Sequence, residues 1–96
     1  QNIDSYVCAG CITSGSTVRG SILGPRCKVN SYSLVEDSIL FENVSVGRNV
    51  KIRKAIIDKN IVIQDGSTIG YDSDEDRSNG YTVTESGIVV VPRKEK

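Results

Sequence analysis

Histidine is absent from the 96 residues, and long apolar runs and any excess of one charge are missing as well. Each absence removes a class of answer. Without imidazole there is neither a histidine general base nor a histidine zinc ligand. Cys8, Cys11 and Cys27 provide a single Cys-x-x-Cys pair and one further thiol, short of a four-ligand zinc site; free thiols in a reducing compartment are the expected state. No segment has the length and apolarity of a signal peptide or a membrane span, so a cytoplasmic, soluble chain is expected. Twelve basic residues balance twelve acidic ones, which gives no general attraction to nucleic acid or to an anionic membrane. The length admits one small domain.

Neither a period near 3.6 nor plain alternation runs through residues 12–69, but a longer repeat does. Ile12, Val29, Val46 and Ile63 are 17 apart; so are Val18, Val35, Ile52 and Ile69, and so are Leu23, Leu40 and Ile57. Tyr6 extends the third series one step back. Two positions before these residues stand smaller ones: Ser16, Ser33, Val50 and Ser67; Ser21, Ser38 and Ala55; Cys27, Val44 and Ile61. Strand residues two apart share a face, so each short strand turns one small and one large group inward. Gly15, Asn43, Asn49, Asn60 and Gly66 fall where the chain must bend and accept positive φ. Three strands and three corners make one coil, and stacked coils make a triangular prism.

The fold predicted is all-β: a parallel β-helix of 17-residue coils over residues 1–70, then an acidic loop and a C-terminal β-hairpin over 71–96. The hairpin rests on "YTVTESGIVVVP", two β-prone runs around Glu-Ser-Gly. Spacing leaves the hand open, because the general rule for parallel crossovers favours the right. Likeness to the hexapeptide-repeat class implies a left-handed β-helix.

Tests for chemistry return structural answers. Asp72, Asp74 and Asp76 have calcium-loop spacing, but Arg77 stands where that loop needs glycine and Val83 where it needs glutamate. Ser14-Gly15-Ser16 lacks the Gly-Lys-Ser/Thr of a phosphate loop and reads as a corner. In the prism register Arg19, Glu36 and Arg53 share an outer column, Asp37 lies beside Lys54, and Glu42 beside Lys59. Two features remain to be placed. Arg48, Lys51, Arg53, Lys54 and Lys59 face only Asp58 within residues 48–59, and Arg93, Lys94 and Lys96 add a basic tail; a solvated basic edge is the first reading of such a surface, and a site for a phosphorylated ligand the second. Tyr32, Leu34 and Phe41 project outward and form a candidate interface.

The segments "VNSYSLVEDSIL", "VSVGRNVKIRKAIIDKNIVIQDGSTIG" and "DEDRSNGYTVTESGIVVVPR" together resemble the C-terminal domain of bacterial ADP-glucose pyrophosphorylase, or glucose-1-phosphate adenylyltransferase. That resemblance covers nearly all of residues 8–93. It implies a piece of an enzyme that makes ADP-glucose and pyrophosphate from ATP and glucose 1-phosphate in glycogen biosynthesis. Magnesium serves the full enzyme, whereas no cofactor is expected in this segment. Catalysis would belong to an N-terminal nucleotidyltransferase domain that this chain lacks, so the chain alone is expected to be inactive. Holding a homotetramer together and helping to bind a sugar-phosphate activator are the roles implied. Lys59, in the "IIDKN" corner, and Arg93, after the terminal strand, match the family's anion-binding positions. A free-standing β-helix scaffold binding a protein partner through Tyr32, Leu34 and Phe41 is the alternative.

Overall fold

The computed structural model describes residues 1–93. Twelve short strands come first: β1 (Asn2–Ile3), β2 (Tyr6–Val7), β3 (Thr17–Arg19), β4 (Ile22–Leu23), β5 (Lys28–Val29), β6 (Leu34–Glu36), β7 (Ile39–Leu40), β8 (Ser45–Val46), β9 (Lys51–Arg53), β10 (Ala55–Ile57), β11 (Val62–Ile63) and β12 (Thr68–Ile69). Helix α1 (Ser73–Ser78), β13 (Thr82–Val83) and β14 (Val89–Val91) follow. They form three sheets, ordered β1-β3-β6-β9-β12, β13-β14-β10-β7-β4-β2, and β11-β8-β5. All pairings are parallel except β13 with β14. Three sheets around one axis give the predicted prism.

The inward columns are the core. Val18, Leu23, Val35, Val46, Ile52 and Ile57 are completely buried, with Val29, Leu40 and Ile69 nearly so. Removing such side chains from water supplies about 25 cal/mol per Å² of apolar surface. The small column has a second duty: Ser21, Ser33 and Ser38 are buried, and their hydroxyls accept the amides of Ser38 (3.1 Å), Val50 (3.0 Å) and Ala55 (3.1 Å) in the next coil. Backbone donors at the corners, beyond reach of the short ladders, are thereby satisfied. Asn43, Asn49 and Asn60 take φ of 58°, 57° and 61°, as corner asparagines should.

The first coil departs from the 17-residue rule. Asn2 pairs with Val18, Tyr6 with Ile22 and Ile12 with Lys28, all offsets of 16. Four steps lead from Ile12 to Ser16, but five from Lys28 to Ser33, so the first coil is one residue short at that corner. A one-residue slip reverses every side chain. Ile12 is accordingly 53% exposed and leaves the core series; Cys11, one residue earlier, packs against the core. Tyr6, 70% exposed, yields its predicted inward place to Val7 for the same reason.

The C-terminal end also differs from expectation. Part of the acidic stretch is helix rather than loop, because the Asp72 side chain accepts from the amides of Asp74 and Glu75 and so caps α1. The third inward series resumes beyond this insertion: Ala55 pairs with Val89 and Ile57 with Val91. The coil thus gains a further rung on one side after Gly70, with β13 completing the hairpin.

Candidate functional site

Lys59 and Arg93 occupy one corner of the prism. Ile57 and Val91 are register partners, and the Asp58 amide donates to the Val91 carbonyl at 3.1 Å. Two residues past that pair, the chain reaches Lys59 on one level and Arg93 on the next. Both are exposed. Asp58 is occupied with the backbone, its Oδ1 accepting the Lys59 amide at 2.7 Å. Glu42 lies beside Lys59 as expected but is bonded to Arg26. Among the described residues no acidic group forms an ion pair with Lys59 or Arg93. Lys59 borders a shallow depression with Pro25, Ile39 and Phe41, while Arg93 borders a separate cleft of about 460 Å³. A corner bearing two such cations suits anionic oxygens, lysine as a point charge and arginine as a planar fork.

The candidate interface residues are not on one face. Tyr32 sits at a corner with φ 65° and is 73% exposed. Leu34 lies half-buried on the first sheet between Thr17 and Lys51, and Phe41 follows β7 on the second. A larger apolar feature escaped the sequence reading. Tyr6, Ile22, Ile39, Ile56 and Val90 are successive register partners across the outer face of the second sheet, beside Phe41. Ile22 is 48% exposed and Ile39 37%. The signal was legible, since Ile22, Ile39 and Ile56 are themselves 17 apart.

The remaining candidates are architectural. Arg19 bonds Glu36 at 2.9 Å, and Arg53 turns to the Tyr71 ring and the Gly70 carbonyl. Cys27 donates to the Phe41 carbonyl at 3.0 Å and Cys11 to the Gly24 carbonyl at 3.1 Å; burial pushes the Cys27 thiol up. Asp76 is buried, with one carboxylate oxygen accepting from the Gly70 amide at 3.1 Å and the other unpartnered. Burial, with Glu75 and Asp72 adding repulsion, holds its pKa above the usual carboxylate value despite that hydrogen bond. Among the described residues no group of three or more potential metal ligands converges, and no helix is long and apolar enough to cross a membrane.

Parallel coils around a three-sided aliphatic core, stitched by small inward residues, define a β-helix, and membership of the hexapeptide-repeat class makes it left-handed. The chain belongs to the GlmU-like, C-terminal hexapeptide family, whose model matches residues 1–91. It is similar to the glucose-1-phosphate adenylyltransferase of Geobacter metallireducens, 84% identical over 91 residues, which cover 95% of this chain and 22% of that protein. The enzymes of the same name from Trichlorobacter lovleyi and Deinococcus radiodurans are 75% and 48% identical, covering 99% and 97% of the chain. The chain spans 23% and 22% of the lengths of those two relatives.

Proposed function

We propose that this chain is the regulatory and assembly module of a glucose-1-phosphate adenylyltransferase, an enzyme that forms ADP-glucose and pyrophosphate from ATP and glucose 1-phosphate in glycogen biosynthesis. The observation that carries the reading is coverage: 84% identity runs along nearly the whole chain but over 22% of the relative. Catalysis, with its magnesium, belongs in this reading to a separate nucleotidyltransferase domain of the complete polypeptide. The work of the β-helix is then to hold subunits together and to tune that domain.

Two features support this division. The outer apolar ladder from Tyr6 to Val90 is a contiguous unpaired surface of the kind that another domain or subunit covers, and Phe41 enlarges it. Among the described residues Lys59 and Arg93 have no acidic ion-pair partner, and two such cations at one corner suit the phosphate of a sugar-phosphate activator. The complete enzyme is a cytoplasmic homotetramer in this reading. Its test is an activator titration of the complete enzyme, with fructose 1,6-bisphosphate as probe. Lys59→Ala should raise the concentration needed for half-activation by roughly ten-fold, the loss of about one charge-assisted contact, and leave unactivated turnover unchanged. An unaltered titration curve in both Lys59→Ala and Arg93→Ala would remove this corner from activation.

A further inference from the structure

The register slip of the first coil has a chemical result. At an offset of 17, Cys11 would stack beside Lys28 and Cys27 beside Gly10; at the observed offset of 16, Cys11 stacks beside Cys27. Backbone bonds hold the two levels together there: the Ile12 amide donates to the Cys27 carbonyl at 2.9 Å, and the Val29 amide to the Ile12 carbonyl at 2.8 Å. Both side chains turn inward, Cys27 completely buried and Cys11 half-buried against the core. Neighbouring strands lie about 4.8 Å apart, within the Cα separation of roughly 4.4–6.8 Å that disulfides span. The Cys11 thiol also leans the right way. Its bond to the Gly24 carbonyl carries the sulfur toward the second coil, where Cys27 stands.

Cys8 is the third thiol, and its place is different. Val7 packs inward and Cys8 follows it, so by strand alternation Cys8 faces the opposite side. A turn with Gly10 at φ 80° then separates it from Cys11. Burial above all pushes the Cys27 thiol up, and the Cys11 thiol beside it adds to the effect. That divides the labour within the pair. Cys11 is the thiol that a dissolved oxidant reaches, and Cys27 is the slower, resolving one.

We propose that Cys11 and Cys27 form a reversible disulfide that fastens the first coil to the second, with a low-molecular-weight disulfide as oxidant. The Cys11 thiolate attacks one sulfur of the oxidant, breaking its S–S bond, forming a mixed disulfide and releasing one thiolate, which takes up the proton that Cys11 lost. Rotation about the Cys27 Cα–Cβ bond then turns its sulfur from the Phe41 carbonyl to Cys11, where it displaces the second small thiol. Two protein thiols are oxidised, and one small disulfide is reduced to two thiols. The coil so fastened is the one held least: within this chain it has a neighbouring coil on one side only, and its inward Asn2, Val7 and Cys11 are exposed or half-buried. The switch does not depend on the function proposed above.

The experiment incubates the fully reduced chain with oxidised glutathione, alkylates the remaining thiols and digests with trypsin without reductant. Cleavage after Arg19 and Arg26 separates Cys8 and Cys11 from Cys27. Expected are an intact mass lower by two hydrogen atoms and residues 1–19 joined to a peptide that carries Cys27. Cys8→Ser should keep that link, Cys11→Ser should abolish it, and Cys27→Ser should stop at a glutathione adduct on Cys11. Hydrogen exchange at the Tyr6, Cys8 and Ile12 amides, which donate to the second coil, should slow by about ten-fold or more on oxidation and recover with dithiothreitol. A disulfide closed within residues 1–19, a link that survives Cys11→Ser or is lost in Cys8→Ser, a glutathione adduct that persists on the wild-type chain, or three alkylated thiols would each overturn the proposal. So would equal exchange of the first coil in the oxidised and reduced chains. Should Cys27→Ser fail to fold, the wild-type digest and Cys8→Ser still decide which thiols pair.

Discussion

The two ends of the prism solve the same problem differently. At the start, Asn2, Val7 and Cys11 stand at inward positions yet stay exposed or half-buried, with Ile12 turned out to solvent. At the finish, Ile69 in the last regular strand and Val89 in the hairpin are each 1% exposed. A repeating coil buries its interior only against a neighbouring coil, so a terminal coil needs a non-repeating cover. The C-terminal end supplies its own, while the N-terminal end leaves its inward column open within this chain.

That contrast can be broken most severely by charging the middle and the open end in turn. Ile57→Asp puts a carboxylate into a fully buried column and should cost at least ~4 kcal/mol, seen as loss of the cooperative transition in urea. Next comes the closed end. Gly70 has φ 90°, and a Cβ there would lie 1.8 Å from the Arg53 carbonyl oxygen, so Gly70→Ala should cost about 3 kcal/mol or more. Val7→Asp, the counterpart of Ile57→Asp at the half-buried open end, should cost only about 1 kcal/mol, because its carboxylate stays within reach of water. Equal losses at Val7 and Ile57 in parallel urea titrations would abolish the distinction between the ends.

The smallest effect is a pH dependence. The raised pKa of Asp76 means that its contribution to stability is complete below the ordinary carboxylate range and is lost as pH rises through the folded-state value. Asp76→Asn cannot titrate. Its melting temperature minus that of the wild type should therefore increase from acid toward neutral pH and then level off. A pH-independent difference would mean that burial leaves the Asp76 pKa where it lies in the unfolded chain.

Much of this fold could be read directly, because columns of Val, Ile and Leu repeat at 17 with small residues two positions earlier, and strand geometry converts that spacing into an inward stripe. The outer ladder through Ile22, Ile39 and Ile56 obeyed the same period but was hidden beside the stronger inward series. Ile12 and Tyr6 were misplaced for a different reason: their 17-residue spacing to Val29 and Leu23 is real, but the first coil is one residue short at a corner, and register depends on backbone pairing rather than on sequence distance. Glu42 shows the limit for charges, since both Arg26 and Lys59 were within reach by level and only side-chain packing assigned it to Arg26.

By itself, then, the sequence determined the three-sided coil, its core columns, its asparagine corners and the absence of histidine chemistry, all of which follow from local periodicity and residue type. Tertiary structure alone decided how the ends close, that Asp76 is buried while Asp72 caps a helix, and that β14 takes the level beyond β10. Those outcomes depend on which segments stack beyond the last regular coil. Stacking brings together residues 34 positions apart, two periods of 17, with the intervening place of the series, Asp74, taken by α1 instead of a strand.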